Sequence, residues 1–343
     1  MKRIDLRSDA ETMPTQEMVE AITKAKLGDD ILGEDPTVIE LERLASSMLD
    51  MEDAMLTISG TMSNQVAVMT MTERGQEVIM GKESHLYNLE VAGLAALSQV
   101  QARSVSVTKG VYDINEIEES IQPVGIQAAE TGLICLENTY NLNEGSVVPL
   151  ENMKDIKEVA KRNGIPVYLD GARLFNAATY LNVPASVICQ YADAVQICLT
   201  KGLGCPIGSI LLGPKTFIQK AKKIRQRLGG GMRQAGIIAA PGIIALQKMT
   251  NHMQNDHQLA GHLSDGLSTI PGLKLLSEQF QTNIVSIEIV QEGWDADRLV
   301  DLLKSRNILV KKIGPKKVRM VTHHQITKKD IDAVLSYLVE NLG

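Results

Sequence analysis

At 343 residues the chain can bury a substantial core, in one large domain or two ordinary ones. Apolar residues make up 44% and charged residues 22%, which excludes a disordered chain or a fibrous repeat. A net charge of −6 argues against a general nucleic-acid binder, and the local basic cluster Lys222, Lys223, Arg225 and Arg227 reads as a solvated helix face.

The first residues, "MKRIDLRSDAETMP", lack the apolar stretch of a signal peptide, and no run approaches the ~20 apolar residues of a membrane helix. A cytoplasmic protein without membrane or nucleic-acid partners is expected. Cys135, Cys189, Cys198 and Cys205 form no CxxC pair and read as buried thiols. The six histidines miss metal spacing, so no metal site is expected.

In chain order, Leu41, Leu44 and Met48 recur at helical spacing and read as core. Ser59, Gly60 and Thr61 stand immediately before an apolar helical pattern. Strand candidates follow: "EVIMG" (77–81), "SVSVT" (104–108), "GLICLE" (132–137), "IPVYLD" (165–170), "AVQICLT" (194–200) and "GSILLG" (208–213). A helix over 152–164 closes on Asn-Gly, a stop signal. Strands alternating with helices predict an α/β fold with a sheet covered on both faces. From 251 an amphipathic helix to about 270 leads into "NIVSIEIV", "DADRLVDLLKSRN", "ILVKKI", "KKVRMVT" and a terminal helix from about 327. The expected organisation is a large domain over 1–250, with an N-terminal arm over about 1–25, and a smaller C-terminal α+β domain over 251–343.

The stretch "QICLTKGLGCPIGS" (196–209) places Lys201 between a strand and a glycine loop. A core strand normally excludes an unpaired ammonium. "GLGCPIG" fails GxGxxG by one residue, and the lysine precedes the glycines rather than following them as a phosphate-binding loop requires. A lysine at the C-terminal mouth of a strand, where open α/β sheets bind ligands, can instead act as a nucleophile toward an aldehyde. Asp170 ends a second strand, so a parallel sheet brings both to one edge. A lysine with a carboxylate is the pairing that pyridoxal phosphate needs: one holds the aldehyde, the other keeps the ring nitrogen protonated. Ser59, Gly60 and Thr61, at a helix start, offer backbone N–H groups for the phosphate. His85 in "GKESHLYNLE" can stack on the ring and move a proton.

These segments together resemble the L-threonine aldolases of the aspartate-aminotransferase-like (type I) pyridoxal phosphate fold. The resemblance runs through "LRSDAETMPT", "GDDILGEDPTVIELE", "SGTMSN", "ESHLYNLE", "LENTYN", "LDGARLFNA", "CLTKGLGCPIGS", "LGGGMRQAG" and "VRMVTH". It implies a mostly parallel seven-stranded sheet in the large domain. It also implies pyridoxal 5′-phosphate as cofactor and a homodimer or homotetramer with sites between subunits. By position, Lys201 matches the cofactor lysine, Asp170 the partner of the ring nitrogen, and His85 the stacking histidine. Gly60 and Thr61 match the phosphate cup, and Thr200 the hydroxyl residue before the lysine. Arg173, Ser8 and Arg319 match residues that bind the amino-acid carboxylate. Arg233, and Lys222 or Arg225 of a neighbouring subunit, match residues near the cofactor.

Departures fall on the substrate side. Ala10 replaces a threonine, Leu32 an aromatic and Tyr140 a histidine, and Gln127 stands where many members carry a second histidine. The implied activity is retro-aldol cleavage of L-threonine or L-allo-threonine to glycine and an aldehyde. His85 or an ordered water would take the β-hydroxyl proton, with Gln127 only orienting it. The alternatives are another lyase or racemase activity on the same cofactor, or a cofactor-binding protein without turnover.

Overall fold

The computed structural model describes residues 2–277 and 280–342. Strands β1 (Asp53–Thr57), β2 (Glu77–Gly81), β3 (Gln101–Val105), β4 (Thr131–Glu137), β5 (Val167–Asp170), β6 (Ala194–Cys198) and β7 (Ser209–Gly213) make a seven-stranded sheet. Their order is β1-β7-β6-β5-β4-β2-β3. Only β7 runs against its neighbours in this sheet; the other pairings are parallel. The expected mostly parallel sheet is therefore present.

Every residue of β2, β4, β5, β6 and β7 is buried, which is why these strands read as unbroken apolar runs. Successive side chains alternate between two cores. Ile79, Ile134, Leu169 and Ile197 face one, with Leu41 from helix Pro36–Leu49 and Met153 from helix Leu150–Arg162. Val78, Leu133, Tyr168 and Leu211 face the other, with Val66 from helix Gly60–Met71 and Ile218 from helix Lys215–Arg227. A leucine buried as completely as Leu41 contributes roughly 1.5–3 kcal/mol.

Four antiparallel strands, Leu273–Leu275, Ile284–Ile289, Lys317–Val321 and Lys311–Gly314, form a separate sheet. Its core takes Leu263 from helix Met253–Ser268, Leu299 from helix Ala296–Ser305 and Val334 from helix Lys328–Leu342. Near the N-terminus, Ile4–Asp5 pairs in parallel with Ile308–Leu309, and Ile4 and Leu6 join this same core.

Some local expectations need correction. The run 104–108 is divided: β3 ends at Val105, and Val107–Thr108 turns back onto Val111–Tyr112 through Lys109 and Gly110. Both turn residues have positive φ, 50° and 82°, the geometry of a two-residue hairpin loop. Strand β1 was not foreseen, because "DAMLT" carries alanine, methionine and leucine, which favour helix until tertiary pairing overrides them. The basic cluster is only partly a solvated face. Arg225 is buried, donating to the Leu56 carbonyl at 2.6 Å and to Asp30 at 2.8 Å. The stop at Asn163-Gly164 holds, with Gly164 at φ 68° just past Arg162. The four cysteines are buried free thiols.

Candidate active site

Register sets the floor of the site. Glu137 of β4 pairs with Asp170 of β5, and Asp170 with Gln196 of β6, so three polar side chains stand in a row at the C-terminal edge of neighbouring strands. The segments leaving β1, β2, β4, β5 and β6 at that edge bound one cavity of about 260 Å³. Gly60, Thr61, His85, Asp170, Arg173, Thr200 and Lys201 all line it. The cavity thus gathers most of the residues expected from the sequence.

Lys201 adopts φ +61°, a left-handed conformation that disfavours any side chain and is typical of strained functional positions. Its carbonyl accepts from Thr12 Oγ1 at 2.8 Å and from the Gly204 N–H at 2.9 Å, which pins the turn. Opposite it, helix Gly60–Met71 begins at Ser59, whose hydroxyl accepts from the Met62 N–H at 3.1 Å. The Gly60 and Thr61 N–H groups lie in the first turn, where no intrahelical acceptor exists, so they are available to an anion. A Cβ on Gly60 would sit 2.8 Å from Cys198 Sγ, so a larger residue would have to displace that side chain.

Asp170 is 2% exposed and held from several sides. Oδ1 accepts from Gln196 Nε2 at 2.5 Å and from the Ala172 N–H at 3.0 Å; Oδ2 accepts from Asn64 Nδ2 at 2.8 Å. One acceptor position on Oδ2 therefore remains for a donor in the cavity. Tyr168 Oη donates to Asn64 Oδ1 at 2.7 Å, fixing the Asn64 amide so that its N–H groups face the carboxylates. His85 Nδ1 lies 2.8 Å from Glu90 Oε1. Burial disfavours the charged imidazole, but Glu90, Asp170 and Glu137 outweigh it and hold His85 above its ordinary value. Glu137 accepts from the His85 and Asn141 backbone N–H groups, and burial together with the Asp170 charge pushes it up to about 7.

Arg173 is the buried cation of the site. Nε and Nη2 donate to the two oxygens of Asp9 at 2.8 and 2.7 Å, and Nη1 donates to Asn141 Oδ1 at 3.0 Å. A guanidinium has five N–H donors, so these bonds leave one on Nη1 and one on Nη2, a fork that matches a carboxylate. Burial alone would raise Asp9, yet Arg173, Lys201 and Asn283 hold its carboxyl well below the usual range.

The remaining expected residues lie elsewhere. Ser8 caps the short turn Asp9–Glu11, accepting from the Ala10 N–H at 3.2 Å and donating to Asp9 Oδ1 at 3.4 Å, and does not line the cavity. Arg319 is buried behind the cavity wall and donates to the same Asn141 Oδ1 at 3.2 Å. Its Nε has no hydrogen-bond partner, and burial followed by the Arg173 charge pushes its pKa down to about 10. Gln127 is exposed on the loop 121–130 and does not line the cavity. Tyr140 is buried edge-on to Tyr112, with ring centres 5.9 Å apart, and Leu32 is 66% exposed. Arg233 pairs with Asp29 at 2.5 Å outside the cavity, while Arg225 is committed within its own chain. Sequence reasoning missed Asp9, Asn64, Glu90, Glu137, Asn141 and Gln196.

The residues fit pyridoxal phosphate: an amine-bearing turn, a buried carboxylate with an open acceptor position, and a helix start cleared by glycine surround one cavity. The arrangement suits a pyridoxal phosphate enzyme, and the chain belongs to the beta-eliminating lyase family, whose model matches residues 5–290. Within that range of proteins it is similar to the low-specificity L-threonine aldolase 1 of Arabidopsis thaliana, 39% identical over 342 residues, covering 98% of this chain and 95% of that one. The low specificity L-threonine aldolase of Escherichia coli K12 is 36% identical over 335 residues, covering 97% and 98%. The solved threonine aldolase of Leishmania major shares the fold, with a TM-score of 0.85 over 99% of this chain and all of that one, at 16% identity. The resemblance read from the motifs is borne out.

Proposed function

We propose that the protein is a pyridoxal phosphate-dependent aldolase that cleaves L-threonine and L-allo-threonine to glycine and acetaldehyde. The observation that carries this reading is the convergence of Lys201, Asp170, the Gly60 helix start and the open fork of Arg173 on one cavity. The relatives at 36–39% identity support the substrate class.

The Gly60 and Thr61 N–H groups would hold the cofactor phosphate, Asp170 its ring nitrogen, and Lys201 its aldehyde carbon. When bound, the cofactor supplies an electron sink beside the substrate Cα. Arg173 presents its fork to the substrate carboxylate, and Arg319, short of one partner, adds positive charge behind Asn141. That clamp fixes which bond at Cα stands free to break. Asp170, fixed by its hydrogen bonds, would present its open Oδ2 acceptor position to the ring nitrogen. His85 accepts the β-hydroxyl proton, the step that lets the aldehyde depart. Thr200 lines the cavity beside Lys201.

Apolar side chains at the cavity rim, Ile58 and Ile207, each 37% exposed, together with Leu32, support a homodimer or homotetramer that completes the site. Free buried thiols support a cytoplasmic location, and no helix among the described residues is long and apolar enough to cross a membrane. The reading is tested by incubating the cofactor-loaded protein with each threonine diastereomer. Equimolar glycine and acetaldehyde are expected; ketobutyrate and ammonia, or racemised threonine, would point to another lyase or a racemase, and no product from any β-hydroxy amino acid would point to a carrier.

A further inference from the structure

The carboxylate of Glu90 is fully buried, yet it belongs to no strand or helix of the cavity wall. It accepts from Asn64 Nδ2 and Gln65 Nε2, each at 2.6 Å, and meets His85 Nδ1 at 2.8 Å. The backbone that brings it there is strained. Val91 and Ala92 follow it at φ 52° and 55°, and Val91 is β-branched, a residue type that almost never adopts that region. Val91 is also 93% exposed, so no burial of its side chain offsets the cost. Gly93 comes next, and a Cβ there would stand 2.6 Å from the Gln65 amide, so the segment is pressed against helix Gly60–Met71. Strain, a glycine and two amide donors all converge on the placement of this one carboxylate.

We propose that Glu90 is the positioning residue for the proton transfer: it holds the His85 imidazole with its proton on Nδ1, leaving Nε2 as the nitrogen that takes the β-hydroxyl proton. Because Oε1 of Glu90 already accepts from Asn64, it faces His85 as an acceptor, and Nδ1 donates. Asn64 ties the same carboxylate to Asp170, so ring partner and base are set by one amide. The ligand atoms of His85, Glu90 and Asp170 lie within 4.8 Å of one another, a spacing that could suit a cation. Asn64 fills that space with N–H donors, which suit carboxylates and oppose a metal ion. The charged groups facing His85 are Glu90, Asp170 and Glu137.

The inference rests on the aldolase reading for what His85 does, but the first of its tests, the tautomer of the ring, does not. In the holoenzyme with ¹⁵N-labelled histidine, the neutral His85 ring, assigned by difference from His85→Gln, is expected as the Nδ1–H tautomer; the Nε2–H tautomer would overturn the proposal even if threonine is cleaved. In Glu90→Gln, kcat is expected to fall about 10²-fold with KM for threonine little changed, and the acidic limb of kcat/KM to move to lower pH. Glu90→Asp, which retains the acceptor, is expected to recover part of the loss. A Glu90→Gln enzyme with unchanged kcat and an unmoved acidic limb would also overturn it.

Discussion

Lys201→Ala is expected to lose threonine cleavage by about 10³-fold or more, because on the proposed reading this residue would form the covalent link on which substrate exchange depends. The protein should remain folded. Lys201 is only partly buried, makes no side-chain ion pair among the described residues, and its positive φ costs alanine no more than lysine. Measuring acetaldehyde release beside the thermal unfolding midpoint separates the two effects. Activity within tenfold of the parent would mean that another amine does the work, and a collapsed midpoint would mean that the turn at 201 is structural.

Arg173→Met has the second large expected effect, on both stability and substrate binding. Asp9 is fully buried, and the guanidinium is its principal partner, so removal leaves an uncompensated charge worth about 3–5 kcal/mol. The pH dependence carries a sign. In the parent, the lowered pKa of Asp9 contributes stability above the ordinary carboxylate value, and that contribution is lost only as pH falls through the depressed value. In the variant, burial is opposed only by Lys201 and Asn283, so the protonated acid is favoured relative to the parent. The stability gap should therefore be widest near neutral pH and narrow on acidification, as followed by denaturant unfolding at several pH values. The KM for threonine should rise about 10²-fold, since a charge-assisted bidentate contact is gone. A gap that does not change with pH would show that the Asp9 charge is not what Arg173 holds.

The same fork explains why the sequence revealed some of the site and hid the rest. Lys201 and Asp170 stand out because a charged residue at the end of an apolar run breaks a pattern that burial imposes on central strands. Glu137 carries the same signal at the end of "GLICLE", and Gln196, a polar residue inside "AVQICLT", breaks the same apolar pattern, so both could have been found by it. Asn64, Glu90 and Asn141 could not. Each is one polar residue in a helix or loop, indistinguishable in sequence from a solvated position, and only strand register and the strained turn after Glu90 bring them together. Ser8 and Arg319 were found by motif, but they stand one residue further back, against Asp9 and Asn141. Gln127 was placed by counting back from a strand, whereas Val124, 90% exposed, and Ile126, fully exposed, show that its loop has no core to pin it over this cavity.

Fold was more legible than site for a related reason. Buried parallel strands are apolar except where they end at the site, so composition marks them, and helix ends such as Asn163-Gly164 carry their own stop signals. The short β1 escaped because its residues favour helix and its pairing partners lie far along the chain, at Ser209–Gly213. The N-terminal strand escaped likewise: two residues, Ile4 and Asp5, become a strand only through Ile308 and Leu309.

One amine bearing the cofactor is the claim on which the site assignment depends. Borohydride reduction of the cofactor-loaded protein, followed by proteolysis and mass analysis, reads it directly. The account predicts the reduced pyridoxal phosphate mass on the peptide containing Lys201 and its loss in Lys201→Ala; a label on a different lysine, or none on a protein that binds the cofactor, would contradict it.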